Sequence, residues 1–165
     1  MNKSTRQYIG LASAIIAYYV IHEGAHLIYA LILGVFKEIK FMGLGMQIDI
    51  YAENMTQTQL GEFCMVGSLA TFGVAYILVC SSDKICKLNS KVFKASMYYI
   101  TIALLLLDPI YLSLLCNMFG GGDMNGIAFL IPETVARIAY GILLLINVVV
   151  FFKVVLPKYQ LGFKR

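Results

Sequence analysis

Charge is scarce in this 165-residue chain: Asp, Glu, Lys and Arg together make up 13% of it, where an ordinary soluble domain carries about 25%. A soluble fold of this size cannot cover its core with so few charges. The four cysteines, Cys64, Cys80, Cys86 and Cys116, form no C-x-x-C pair. That excludes a redox dithiol, a zinc–cysteine site and a disulfide-stapled secreted domain, and leaves the cysteines as small buried hydrophobes. Internal repeats and low-complexity tracts are absent too. With 60% hydrophobic residues and a mean hydropathy of +0.80, the chain is not disordered. Histidine is scarce as well: the chain has two, His22 and His26.

What is abundant is apolar sequence in long runs. About 20 apolar residues span the hydrocarbon core, and four segments qualify: 8–33, 60–80, 92–115 and 134–156. The expected fold is an all-α integral membrane protein with about four transmembrane helices, a single polytopic domain over residues 1–165. Lys3 and Arg6 precede the first run as in a signal peptide. That run is too long for a signal h-region and lacks a small-residue cleavage site, so it reads as a retained helix. Between the first two spans, residues 36–51 alternate in polarity and are broken by Gly43-Leu44-Gly45, which predicts a β-hairpin with a glycine turn. The second connection, 81–91, reads as short and basic. The third, 117–132, holds Gly120-Gly121-Gly122-Asp123-Met124-Asn125-Gly126. Pro132 with Glu133 marks the start of the last helix.

The net charge of +4 does not call for nucleic acid, because membrane proteins place Lys and Arg by topology. With four spans, the N-terminus, the second connection and the C-terminal tail share one side. Lys3, Arg6, Lys84, Lys87, Lys91, Lys94, Lys153, Lys158, Lys164 and Arg165 lie there, against Lys37, Lys40 and Arg137 opposite. Both termini are therefore expected in the cytoplasm. The end of the first helix, the hairpin and the glycine-rich connection then face the extracytoplasmic side. Small size and the lack of targeting motifs suit a bacterial plasma membrane.

Both histidines belong to His22-Glu23-Gly24-Ala25-His26, an H-E-x-x-H motif inside a predicted helix. Residues four apart share a helix face, so both imidazoles can reach one zinc ion with Glu23 beside them as general base. Ionisable groups at bilayer depth cost about 2.5–3.5 kcal/mol each on insertion scales, and by default they mark function. Tyr18, His22, His26 and Tyr29 form a polar stripe expected to face the bundle interior.

A catalytic zinc also takes a third protein ligand and keeps an open position. With no third histidine, a carboxylate has to serve. Asp83 lies on the wrong side, and Glu38, Asp49 and Glu53 read as the solvated face of the hairpin. Asp123 follows three glycines that let the backbone turn back between helices, a conformation tolerated where it lines a cavity. Asp108, before Pro109, sits about 21 Å above Lys94 along its helix, and His22 about 24 Å above Arg6. Asp123 is the preferred third ligand and Asp108 the second choice. Asn117 and Asn125 read as turn residues, and Arg137 pairs with Glu133 one turn earlier.

These residues resemble the site-2 protease family of intramembrane zinc metalloproteases. The likeness covers residues 13–126 and rests on the H-E-x-x-H, the hairpin-like segment after it, Val66-Gly67-Ser68-Leu69-Ala70 in the second span, and an aspartate followed by glycine after the third. It departs from the family at the third-ligand motif: Leu107-Asp108 is followed by Pro109, and after Asp123 the glycine comes only at Gly126. The resemblance implies a three-helix core with zinc on His22, His26 and Asp123, and Glu23 activating water to hydrolyse a peptide bond of a membrane-associated protein or peptide. A non-catalytic metal-binding scaffold and a small ion-coupled transporter subunit are the alternatives from other classes.

Overall fold

The computed structural model describes residues 2–42, 45–118 and 120–164. Helix α1 (Lys3–Leu33) leads into an antiparallel hairpin, β1 (Phe36–Met42) and β2 (Gly45–Ile50). Helices α2 (Gln57–Lys87) and α3 (Lys91–Ile110) follow; α3 continues through a π-helical turn at Tyr111–Leu115 and a 3₁₀ turn at Cys116–Met118. A short helix α4 (Asp123–Ile127) precedes α5 (Glu133–Val150), which passes through a second π turn at Phe151–Val155 into α6 (Leu156–Lys164). Among the described residues four helical stretches are long and apolar enough to cross a membrane: Lys3–Leu33, Gln57–Lys87, Lys91–Met118 and Glu133–Lys164. The fold is an all-α membrane protein with one hairpin after its first helix.

Each helix runs past the apolar segment that marks it in the sequence, because a helix keeps its hydrogen bonds after its side chains turn polar. The first starts at Lys3 rather than near residue 8, capped by Asn2 Oδ1 accepting from Thr5 N at 2.8 Å. The second starts at Gln57 in a reciprocal capping box between Thr56 and Gln59. It ends at Lys87, so the expected connection 81–91 shrinks to Leu88–Ser90, with Ser90 capping α3. The last span runs helical to Lys164, where the sequence predicts a tail after 156. Its start at Glu133 after Pro132 is as expected. The hairpin also forms, with Ile39 opposite Ile48; Gly43 and Leu44 of its turn, and Arg165, lie outside the described residues.

Helices α1, α2 and α3 pack on one another, with α5 against α3 and its continuation α6 against α2 and α3. Their core joins Ala14, Ala75, Leu104, Leu105, Val155 and Tyr159. Outward faces carry Ile15, Val20 and Ile28 on α1, and Ile138, Leu145 and Val149 on α5, all well exposed. Such a surface is unstable in water and natural in lipid. Cys86 and Cys116 are buried and Cys64 half-buried, but Cys80 lies on the outer surface of α2. An apolar environment outside the bundle makes that as acceptable for a small hydrophobe as the core.

Pro109 shapes the third helix. Proline has no N–H, so the Leu105 carbonyl one turn back loses its intrahelical partner. Asn147 of α5, fully buried, supplies one: its Nδ2 donates to Leu105 O at 2.7 Å while its Oδ1 accepts from Tyr76 of α2 at 2.6 Å. A single carboxamide thus ties three helices one turn before Pro109.

The hairpin turns back over the end of α1. Ile48, 4% exposed, packs with Ala30, Val35 and Phe63. On the solvent side Lys37 and Lys40 both reach Asp49 Oδ2, at 3.2 and 2.5 Å. Lys40 and Lys37 hold the Asp49 carboxyl below its usual range. Asp49 is therefore part of the hairpin's polar face, as expected from its position.

Candidate metal centre

Residues 22 and 26 are one helical turn apart on α1, and both side chains point into the bundle; their residues are 6% and 3% exposed. The wall they face is α2 at Gly67. A Cβ built there would lie 2.5 Å from His26 Nε2 and 2.8 Å from His22 Nε2. Any larger residue would therefore fill the space in which the two nitrogens converge.

The third group arrives from a loop. Gly120, Gly121 and Gly122 have φ of 80°, 87° and 47°, values that side-chain-bearing residues rarely adopt. This run of left-handed backbone lets the chain return toward α1 and start α4 at Asp123. Asp123 Oδ2 lies 3.1 Å from His22 Nε2 and 3.6 Å from His26 Nε2. One donor atom from each of the three residues lies within 4.8 Å of the others, a grouping that can hold a metal ion. Zinc–ligand bonds of about 2.0–2.2 Å in a tetrahedron put ligand atoms about 3.3 Å apart, and the two measured separations bracket that value. The donor set therefore fits a divalent ion of zinc's size. Desolvation by itself would raise the Asp123 carboxyl; the facing imidazoles of His22 and His26 outweigh it and hold the carboxyl down, at about 2.

Glu23 sits beside this triad. Its Oε2 accepts from the backbone N–H of Ile48 at 3.2 Å, so the hairpin steadies it. The bond also shows that the free edge of β2 faces the site. A cavity of about 410 Å³ opens here, lined by His22, Glu23, His26 and Asp123 together with Gly45–Ile48 of β2. A second, apolar groove of about 520 Å³ lies between α1 and α3 and shares Tyr18 and Tyr19 with the first.

Asp108 is not in the triad. It is 1% exposed and lies on the far side of His22, with Oδ1 3.2 Å from His22 Nδ1. The second-choice ligand is thus set against the nitrogen that points away from the other two donors. Tyr18 Oη donates to Asp108 Oδ1 at 2.5 Å, and Thr71 Oγ1 bonds Oδ2. The polar stripe of α1 does face the interior over Tyr18, His22 and His26, while Tyr29 bonds Glu62 at the exposed end. Asn125 is a turn residue, its Nδ2 donating to Gly120 O at 3.0 Å. Arg137 reaches Glu133 at 3.5 Å and Ser113 O at 3.2 Å.

Thr71 and Asn147 escape a reading of the sequence. A threonine or asparagine in an apolar helix carries little signal; only Thr71's place four residues after Gly67, on the same face of α2, links it to the site.

Fold and site together define a four-helix membrane protein with a buried His–His–Asp grouping able to hold a metal. No protein-family model, curated protein or solved structure matches the chain.

Proposed function

We propose that this protein is an intramembrane zinc metalloprotease that hydrolyses a peptide bond of a membrane-associated protein or peptide. One observation carries the reading: two histidines and an aspartate converge on a single point, with a glutamate beside them, in a cavity open to a peptide-sized ligand. A purely structural polar cluster has no need of that space. The likeness of residues 13–126 to the site-2 protease family supports the same chemistry.

His22, His26 and Asp123 would hold the zinc, which when bound supplies Lewis acidity toward a scissile carbonyl and toward water. Glu23 takes the proton of the attacking water at its carboxylate and passes it to the leaving amine. β2 offers a strand edge beside that base, suited to seating an extended segment by backbone hydrogen bonds. An extended substrate is required, since a helix has its amides already satisfied and its carbonyls shielded. The apolar groove that adjoins at Tyr18 and Tyr19 is fit for the apolar part of the same substrate. By the positive-inside argument, both termini are cytoplasmic and the site opens toward the extracytoplasmic side of a bacterial plasma membrane.

Zinc analysis and cleavage assays on the purified full chain test this. Wild type should bind about one zinc per chain. Glu23→Gln should keep the metal and lose about 10²–10⁴-fold in cleavage of a co-expressed membrane-anchored peptide library. Zinc without cleavage of any member would favour a non-catalytic scaffold. No zinc, together with ion-coupled flux in vesicles, would favour a transporter subunit.

A further inference from the structure

Asp108 is the most buried carboxylate in the described protein, and the hydrolytic reading gives it no task. It stands at bilayer depth, where an ionisable group is retained for function. Three helices converge on it. Tyr18 from α1 and Thr71 from α2 bond its two oxygens, and His22, one turn beyond Tyr18, brings Nδ1 to 3.2 Å from Oδ1. Donors on every side match an acceptor-only group. On α3, Asp108 is held next to Pro109, one turn beyond the Leu105 carbonyl that Asn147 satisfies.

His22 faces two carboxylates with its two nitrogens, Nε2 toward Asp123 and Nδ1 toward Asp108. A neutral imidazole has one lone pair. For Nε2 to offer it to a metal, the ring proton has to sit on Nδ1. That nitrogen is buried and has no aligned hydrogen bond, and Asp108 is the carboxylate within reach. His26 Nδ1 is also buried and unbonded, but no described carboxylate lies within ion-pair distance of it. The two histidines are alike in sequence spacing and unlike in bracing.

We propose that Asp108 is the positioning residue of this centre: it holds the proton of His22 on Nδ1, and so aims the Nε2 lone pair at the metal, while Tyr18 and Thr71 hold Asp108. The inference rests on the metal-centre reading and goes beyond it, because it assigns a role to a group outside the ligand set. A carboxylate behind a metal-bound histidine fixes its tautomer and orientation, and loss of such a partner typically weakens metal affinity 10–100-fold.

The test is zinc affinity of the full chain by chelator competition, with ¹⁵N NMR of the histidines in the zinc-loaded chain. Asp108→Ala should bind zinc about 10–100-fold more weakly, and Asp108→Asn, which keeps an oxygen acceptor, should recover part of that loss. Thr71→Val should weaken binding less, and its effect should vanish in the Asp108→Ala background. In zinc-loaded wild type the His22 resonances should report an Nδ1–H hydrogen-bonded to a carboxylate. In Asp108→Ala that signature should be lost while the resonances of His26 stay put, a selectivity that general loosening would not produce. A folded Asp108→Ala with affinity within about two-fold of wild type and unchanged His22 resonances overturns the inference and leaves the metal reading intact. Complete loss of zinc, equal to that of His22→Ala, overturns it in favour of Asp108 as a ligand. A wild type that binds no divalent metal overturns both readings. Should Asp108→Ala fail to fold, Asp108→Asn and Thr71→Val decide, and wild-type affinity in both overturns it.

Discussion

The two sides of the candidate metal centre are built in opposite ways. His22 and His26 come from a single turn in the middle of a 31-residue helix, where 3.6-residue periodicity alone puts them side by side. Asp123 comes from the other end of the chain fold, delivered by three successive glycines with positive φ. One side is rigid because helical hydrogen bonds fix it. The other is positioned by a loop whose shape only glycine can hold.

The sharpest way to break the helical side is to remove a donor. His26→Ala should abolish zinc binding in equilibrium dialysis and, with it, cleavage, with helicity by circular dichroism unchanged. Gly67→Ala attacks the same side without touching a ligand. Its methyl would enter the space between the two Nε2 atoms, and zinc affinity should fall by more than the roughly 100-fold upper end seen for outer partners. Substitution at the nearby Gly73, where a Cβ meets nothing within 4 Å, should leave affinity as it is and serves as the control.

The loop side should yield less for each change. Asp123→Ala should lower zinc affinity strongly yet leave residual binding on the histidine pair, and Asp108→Ala should lower it less. Zinc titrations of the two give the order, and the reverse order would show the third ligand to be Asp108. Gly120→Ala should be milder. Space is open around its Cβ, so only the left-handed backbone matters, at about 1–2 kcal/mol; a modest loss of affinity with normal stability of the bundle would register it. Smallest at the site is Asn147→Ala, which frees Leu105 O and the Tyr76 hydroxyl. It should destabilise the protein by about 1–3 kcal/mol in thermal unfolding while zinc affinity barely changes.

Most of the architecture was legible along the chain. Four apolar runs, a polar alternating segment and Pro132-Glu133 mark the spans, the hairpin and the last helix start, because lipid demands long apolar helices and little else. Helix ends were less legible: polar residues such as Ser81–Lys87 continue α2, since capping and packing, not hydropathy, decide where hydrogen bonding stops. Cys80 also went against its type, exposed where a small hydrophobe in water would be buried.

The pairing of His22 with His26, the flanking Glu23 and their depth in an apolar span are properties of one short stretch of sequence, and helical geometry is enough to derive them. The glycine run before Asp123 put it ahead of Asp108 in the sequence, but no local rule could place either carboxylate against a particular nitrogen. Both are single carboxylates far from residue 22 in sequence and near it in depth. That was settled by packing: α3 brings Asp108 to Nδ1, and a glycine loop brings Asp123 to Nε2. Scarcity of charge identified which residues to watch, and the two faces of one imidazole ring separated their roles.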